Sequence, residues 1–286
     1  MIVIVGCFVV LGAVVAGFTI SGGHIGALIH PAEILTIGGA ALGALIVMSP
    51  AKVLKDLVRG MLQAIKGGAF NKKTYAELFG VMYELFRSAR RDGLLALEQH
   101  VSNPHDSAIF SKYPRIAHNH HVTQFICGSL SPLVEGSAKA EDLPELFAAE
   151  LRVIEDEHHA PISVLAKTAD ALPGFGIVAA VLGIVITMGH IDGPVEEIGH
   201  KVGAALVGTF LGILLSYGFV APLVGRMEML SAEEMSFFRT IASMVNGFAN
   251  DRPPKVVIEQ ARRSVGTQYR PTRDELDELF KAVETS

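Results

Sequence analysis

Residues 172–188, LPGFGIVAAVLGIVITM, and residues 202–224, VGAALVGTFLGILLSYGFVAPLV, contain neither a charged side chain nor a histidine. A hydrocarbon core of ~30 Å takes about 20 apolar residues of helix to cross. Only the polar segment 189–201, GHIDGPVEEIGHK, separates the two stretches. Upstream, residues 2–20 and 34–48 repeat the arrangement, the second reaching out to Pro31 and Ala51. A buried core helix would account for any one of these stretches. Two close pairs, each joined by a short polar loop, instead read as two hairpins across a membrane, and the fold class expected is an all-α integral membrane protein with four transmembrane helices and a large helical cytoplasmic region.

Composition agrees. Half of the 286 residues are apolar and 19% are charged, with a mean hydropathy of +0.41; a soluble domain carries about 25% charged residues. Tryptophan is absent and Phe (15) outnumbers Tyr (5), so the apolar content is mostly aliphatic. A net charge of −5 and a pI near 6.1 give no electrostatic footprint for nucleic acid. Cys7 falls in an apolar run and Cys127 in a polar region, which argues against a structural disulfide. The opening Met1-Ile2-Val3-Ile4 has no basic segment and no small-residue cleavage site, so the first apolar run is expected to be a retained helix.

Orientation follows from the cations. Residues 52–167 hold 14 Lys and Arg, residues 226–281 hold 9, and Lys201 is the remaining one of 24. Loops 21–33 and 189–200 hold none. Positive segments stay inside, so both loops are expected outside and both termini in the cytoplasm of a bacterial inner membrane. The expected organisation is a first span over 1–21, a periplasmic loop over 22–32, a second span over 33–50 and a cytoplasmic helical domain over 51–170. A third span over 171–189, a periplasmic loop over 190–200, a fourth span over 201–224 and cytoplasmic helices over 225–286 complete it.

The cytoplasmic part reads as amphipathic helix. Residues 75–89 put Leu78, Met82, Leu85 and Phe86 on one stripe and Glu77 and Glu84 on another. Residues 94–100 form a shorter piece, bounded by Gly93 and Asn103-Pro104. After a break at Ser131-Pro132, residues 143–159 carry an acidic face, and Pro161 suits the first turn of a further helix leading into the third span. Residues 232–249 continue the fourth span until Asp251-Arg252-Pro253-Pro254 ends it, and residues 273–283 form a short acidic helix.

Chemistry-bearing residues are few. No Asp, Glu, Lys, Arg or His lies within the four apolar runs; Glu33 and Asp170 sit only at their ends. An ion pathway normally needs an ionisable residue inside the membrane, so if this chain moves ions, another chain must supply the carboxylate. Small residues stand in rows instead: Ala204, Gly208 and Gly212 in the fourth span, and Gly176, Ala180 and Gly183 in the third. Such rows permit close helix approach, whether for ordinary packing or for a path. Thr187 and Thr209 are the polar candidates for lining it, though a lone membrane Thr usually bonds its own helix. Pro173 and Pro222 read either as helix boundaries or as hinges, and spacing alone favours boundaries. His118, His120 and His121, with His158-His159, offer imidazoles for metal, but no zinc-type Cys/His spacing accompanies them, so solvated histidines are the favoured reading. Arg87, Arg90 and Arg91, with Glu98 downstream, make either a solvated charged face or a docking surface. No P-loop, nucleophile-elbow, HExxH or dinucleotide-binding pattern is present, so no enzymatic reaction and no cofactor is implied.

Several segments resemble the MotA family of flagellar-motor stator subunits, in the MotA/TolQ/ExbB proton channel superfamily. The resemblance runs end to end, through VVLG, SGG, PAE and GGA near the N-terminus, RSARRDGLLALE, NPHDSAIFSKYPRI, LPGFGIVAAVLGIV and VGTFLGILLSYGFVAPL. It implies a proton channel formed with MotB, whose single membrane span carries the proton-binding Asp, in a homopentamer of this chain around a MotB dimer. It also implies conformational roles for Pro173 and Pro222, a place for Thr209 beside the ion path, and Arg90 and Glu98 as contacts to the rotor protein FliG. Ala180 stands where sodium-driven relatives carry a hydroxyl, which favours protons. The missing intramembrane carboxylate, read from the residues alone, agrees. Two other readings compete: an ExbB/TolQ-like energiser of outer-membrane processes, whose relatives have three spans and an outside N-terminus, and a non-conducting membrane scaffold.

Overall fold

A computed structural model describes residues 2–285; Met1 and Ser286, at the ends of the expected first span and C-terminal helices, lie outside the described residues. Among the described residues, twelve α-helices account for most of the chain and no strand occurs. They are α1 (Ile2–Ile20), α2 (Pro31–Met48), α3 (Ala51–Lys66), α4 (Lys72–Asp92), α5 (Glu98–Ser102) and α6 (Pro114–Ala117). Then follow α7 (His120–Val134), α8 (Leu143–Met188), α9 (Val195–Leu215), α10 (Ala221–Ala249), α11 (Pro254–Ser264) and α12 (Arg273–Thr285). A π-turn, Ser216–Val220, joins α9 to α10 without a break. Four helical stretches are long and apolar enough to cross a membrane: Ile2–Ile20, Ile25–Met48, Leu143–Met188 and Val195–Ala249. The all-α, four-span expectation holds.

Two corrections concern proline. Pro173 and Pro161 were expected at helix ends, yet both lie inside the 46-residue α8. Pro222 is the second residue of α10, but the π-turn before it keeps the chain helical from α9 onward. A proline within a helix forfeits one backbone hydrogen bond and bends it; the helix survives where neighbours satisfy the freed carbonyl. A third departure is at residues 195–200, expected as loop, where α9 has already begun.

By internal contacts the chain divides into two compact units, and α8 and α10 each carry residues of both. The first comprises Met1–Gly67 and Glu157–Leu230. Within it, α1 has no buried residue, and Phe8 and Val47 are 70% and 88% exposed, as suits helices solvated by lipid rather than water. Pro31 opens α2 at its first turn, with Glu33 at the positive end of the helix dipole. The sequence reading passed over α3, whose Leu57 and Ala64 share a face and bury against Ile162, Leu165, Val224 and Met227. Lys52 pairs with Glu157 across the same layer. This packing is why the unit reaches past residue 51 to Gly67 and resumes at Glu157, away from the expected boundaries at 51 and 170.

The second unit comprises Gly68–Asp156 and Ser231–Ser286, around one aromatic core. The stripe expected on α4 is fully buried, joined by Phe79 and Val81. Asn71 starts the helix by accepting from the amides of Lys73 (2.9 Å) and Thr74 (3.2 Å), and Gly93, at φ +88°, stops it. Phe86 stacks on Phe248 with ring centres 4.3 Å apart, and Phe70, Tyr75 and Phe237 form a second ring cluster. The polar stripe is satisfied rather than free: Glu77 pairs with Arg115, and Glu84 accepts from Lys112 and Tyr113, at 2.9 and 2.8 Å.

Candidate functional site

The third and fourth spans meet along a seam that admits no further atoms. A Cβ added at Gly176 would lie 2.8 Å from the Gly208 carbonyl oxygen and 3.1 Å from Gly212 Cα; one at Gly212 would lie 2.7 Å from the Leu172 carbonyl oxygen. At the other end, a Cβ on Gly183 would meet Ala205 Cβ at 2.8 Å. The buried row is therefore Ala205, Gly208 and Gly212 on α9, followed by Ser216 of the π-turn, with Ala205 in place of the Ala204 expected from spacing. On α8, Gly176 and Gly183 face the seam as expected, but the side chain against Gly208 is that of Ala179, its Cβ 3.1 Å from a Cβ placed there, and Thr187 is buried further along. Without water to drive association, helices in lipid are held by such close backbone approach.

Of the sequence-predicted site residues, the seam collects three. Ala180 is buried, with its backbone nitrogen 3.4 Å from a Cβ placed on Gly208. Thr209 is half-buried, and its Cα lies 3.3 Å from a Cβ placed on Gly176. Pro173 is half-buried at one end of the same face of α8. Pro222 is exposed, two residues beyond the π-turn, and is not among the seam residues. Thr187 donates to the Gly183 carbonyl of its own helix at 2.8 Å, the commonplace behaviour of a membrane threonine.

Two side chains at the seam escaped the sequence reading as functional candidates. Glu33 of α2 places its Cγ 3.4 Å from a Cβ on Gly208, so a carboxylate at the head of α2 rests on the seam. Ser216, wholly buried where α9 passes into the π-turn, donates to the Ala169 carbonyl of α8 at 2.6 Å. The signal for Glu33 was its place in the PAE segment; Ser216 had none, because its partner is 47 residues away.

The second unit holds Arg90 and Glu98. Helix α10 closes with Asp251 at φ +59°, where the Asp251 amide donates to Phe248 and the Arg252 amide to Gly247. This is a left-handed cap that still leaves carbonyls without helical partners. Arg90 donates to the carbonyls of Asp251 and Arg252, and Arg87 does the same for Val283 and Glu284 near the end of α12. Arg91 pairs with its neighbour Asp92. The arginine cluster is thus partly a set of helix-end clamps. Glu98 is exposed beside Leu95, itself 73% exposed, in a shallow recess with Val101, Ser131 and Glu135. His118, His120 and His121 line a separate recess of about 490 Å³ with Arg115 and Asn71. Among the described residues, no three His, Cys, Asp or Glu side chains are grouped as a metal site.

Residues 117–240 match the MotA/TolQ/ExbB proton channel family, and residues 4–93 match the family described as Motility protein A N-terminal. The first match spans the seam, and with four membrane-crossing helices it places the molecule in the class of multi-pass membrane proton-channel proteins, not enzymes. Motility protein A of Salmonella typhimurium is 36% identical over 99% of this chain and 96% of its own length, and that of Escherichia coli K12 matches equally over the same shares. The chain belongs to the Motility protein A (MotA) family. Among solved structures, the flagellar MotAB stator complex from Bacillus subtilis superposes with a TM-score of 0.73 at 26% identity, covering 96% of this chain and 98% of that one. The structure of C. jejuni MotAB shares the fold, with a TM-score of 0.77 at 20% identity over 95% and 98% of the two chains.

Proposed function

We propose that this chain is the stator subunit of a bacterial flagellar motor, forming a proton channel with a MotB-type single-span partner and converting proton flow into torque. The observation that carries this reading is the seam: two spans held backbone to backbone, neither of which offers a carboxylate, amine or imidazole of its own to carry a proton. In this reading the partner's carboxylate moves against the face bearing Ala180 and Thr209. Each protonation changes the carboxylate's fit there and advances the ring one step. A membrane potential supplies about 2.3 kcal/mol per charge per 100 mV, enough for a modest coupled rearrangement.

The finer features belong to the same proposal. Both termini and the aromatic unit lie in the cytoplasm, because the loops without cations face out. Five copies surround two partner spans. Pro173 and Pro222 let the helices bend with each step, and the absence of a hydroxyl at Ala180 suits protons rather than sodium. Glu98, exposed beside Leu95, meets the rotor protein FliG, while Arg90 holds the end of α10 and presents its remaining surface to the same partner. Between this reading and an ExbB/TolQ-like energiser, the second apolar hairpin near the N-terminus and the N-terminal family match favour the stator.

The test is co-expression with a MotB-type partner whose periplasmic plug is deleted. A stator complex acidifies the cytoplasm and slows growth, and Glu98→Lys leaves that leak intact while abolishing swimming. A complex that leaves cytoplasmic pH unchanged would overturn the proposal in favour of a scaffold.

A further inference from the structure

Pro173 has no amide hydrogen, so in α8 the carbonyl four residues earlier, that of Ala169, loses its helical partner. Ala169 is buried, and a buried backbone carbonyl without a partner is costly. The same carbonyl is the one that accepts the Ser216 hydroxyl, at 2.6 Å, from the facing helix. Ser216 is wholly buried and stands at the first position of the π-turn, where its own carbonyl accepts from the Ala221 amide, one residue further along than in an α-helix. Directly above, Gly212 and Gly176 bring the two backbones into contact, which lets a side chain as short as serine reach across. On the other side of the turn, Val10 of α1 lies 3.1 Å from a Cβ placed on Gly218.

We infer that Ser216 is a positioning residue: its hydroxyl latches the carbonyl freed by Pro173, tying the bend in α8 to the π-turn that precedes Pro222. The two prolines lie on different helices, and one hydrogen bond joins the irregularity each belongs to. When the bond is made, the bend and the π-turn are held in the arrangement seen here. When α8 straightens or slides, the carbonyl leaves the hydroxyl, and the π-turn is free to change. A π-turn is a frequent place for such movement, because shifting its extra residue moves the following helix without unfolding it. The inference deepens the stator reading and rests on it for the meaning of the motion; the hydrogen bond itself does not.

The experiment uses the full chain co-expressed with its plug-deleted MotB-type partner. Ser216→Ala is expected to change proton leak by about threefold at equal membrane abundance, the shift that one interhelical hydrogen bond in a membrane supports. Ser216→Thr, which keeps the hydroxyl, is expected to restore the leak to within twofold. In the purified complex, amide exchange over residues 165–176 is expected to rise about threefold in Ser216→Ala. Once Pro173→Ala has returned an amide to the Ala169 carbonyl, the same replacement is expected to have no effect. Equal exchange effects of Ser216→Ala in both backgrounds, or none in either, would overturn the latch, as would unchanged leak in Ser216→Ala. If Ser216→Ala does not accumulate, Ser216→Cys, with similar volume and a weaker donor, is read in its place and judged by the same outcomes. No leak from the unaltered complex would count against the stator reading alone, since the exchange comparison still decides the hydrogen bond.

Discussion

Of the 29 glycines, 22 lie in the unit that holds the four apolar helices, whereas 10 of the 15 phenylalanines lie in the other. The difference follows from the solvent each unit is built for. Water drives large apolar side chains together, so the aromatic unit gains from burying Phe79, Phe86, Phe110, Phe237 and Phe238 almost completely. Lipid offers no such drive, because a phenylalanine is as well solvated by acyl chains as by protein. Contact between α8 and α9 is therefore worth making only where backbones come close enough for dispersion and polar contacts, and only small residues allow it. One unit fails when volume is removed, the other when volume is added.

The comparison is easiest to break at the aromatic core. Phe86→Ala removes one of two stacked rings from a fully buried site and is expected to destabilise that unit by about 3–5 kcal/mol. Pulse proteolysis of the complex should show the unit opening while the membrane helices stay protected. If α8 and α9 became equally labile, the two regions would not be separate in stability.

A smaller change in the opposite direction tests the seam. Gly212→Ala places a methyl 2.7 Å from the Leu172 carbonyl oxygen and 2.9 Å from Gly176 Cα, and is expected to cost about 1–3 kcal/mol as overpacking and to halt swimming. Gly203→Ala on the same helix meets nothing within 4 Å and should leave swimming near normal. Equal loss in both would mean that the outer face of α9, rather than the seam, is the sensitive surface.

The smallest expected effect concerns acid. The four apolar runs hold no titratable carboxylate, amine or imidazole, while the aromatic unit buries His100, whose ring nitrogen Nδ1 lies 2.8 Å from Ser107 Oγ. Burial holds the imidazole below its usual value of 6.5, with the charge of Glu84 opposing. A depressed imidazole favours folding above 6.5. That contribution is lost as pH falls from 6.5 toward the lower folded value, because the unfolded chain binds the proton first. Thermal unfolding of the aromatic unit should soften over that range. His100→Asn should flatten the dependence, and an unaltered profile would show that the ring is protonated at little cost.

The stripe of α4 and the four spans were legible because a helix face and an apolar run are properties of neighbouring residues. The charges of α4 were legible only as a face: that Glu84 would take both Lys112 and Tyr113 depends on a Gly80 whose missing side chain leaves room for the tyrosine ring, 2.4 Å from where a Cβ would stand. Arg90 reads from sequence as a cation awaiting a partner. Its partners are carbonyls 161 and 162 residues away, exposed by the left-handed cap at Asp251. Pro173 and Pro222 misled for a related reason. Proline's cost to a helix is local, but its relief comes from another helix.

By itself, then, the sequence determined which stretches are long and apolar enough to cross a membrane, which segments carry the cations and which helix faces are apolar, since each depends on side chains within a few turns of one another. Only the tertiary structure decided that α8 runs through two prolines, that Ala205 and not Ala204 faces the seam, and that Ser216 meets Ala169. Those outcomes depend on which backbone groups two distant segments bring within hydrogen-bonding or van der Waals distance. No pattern along one segment encodes that distance.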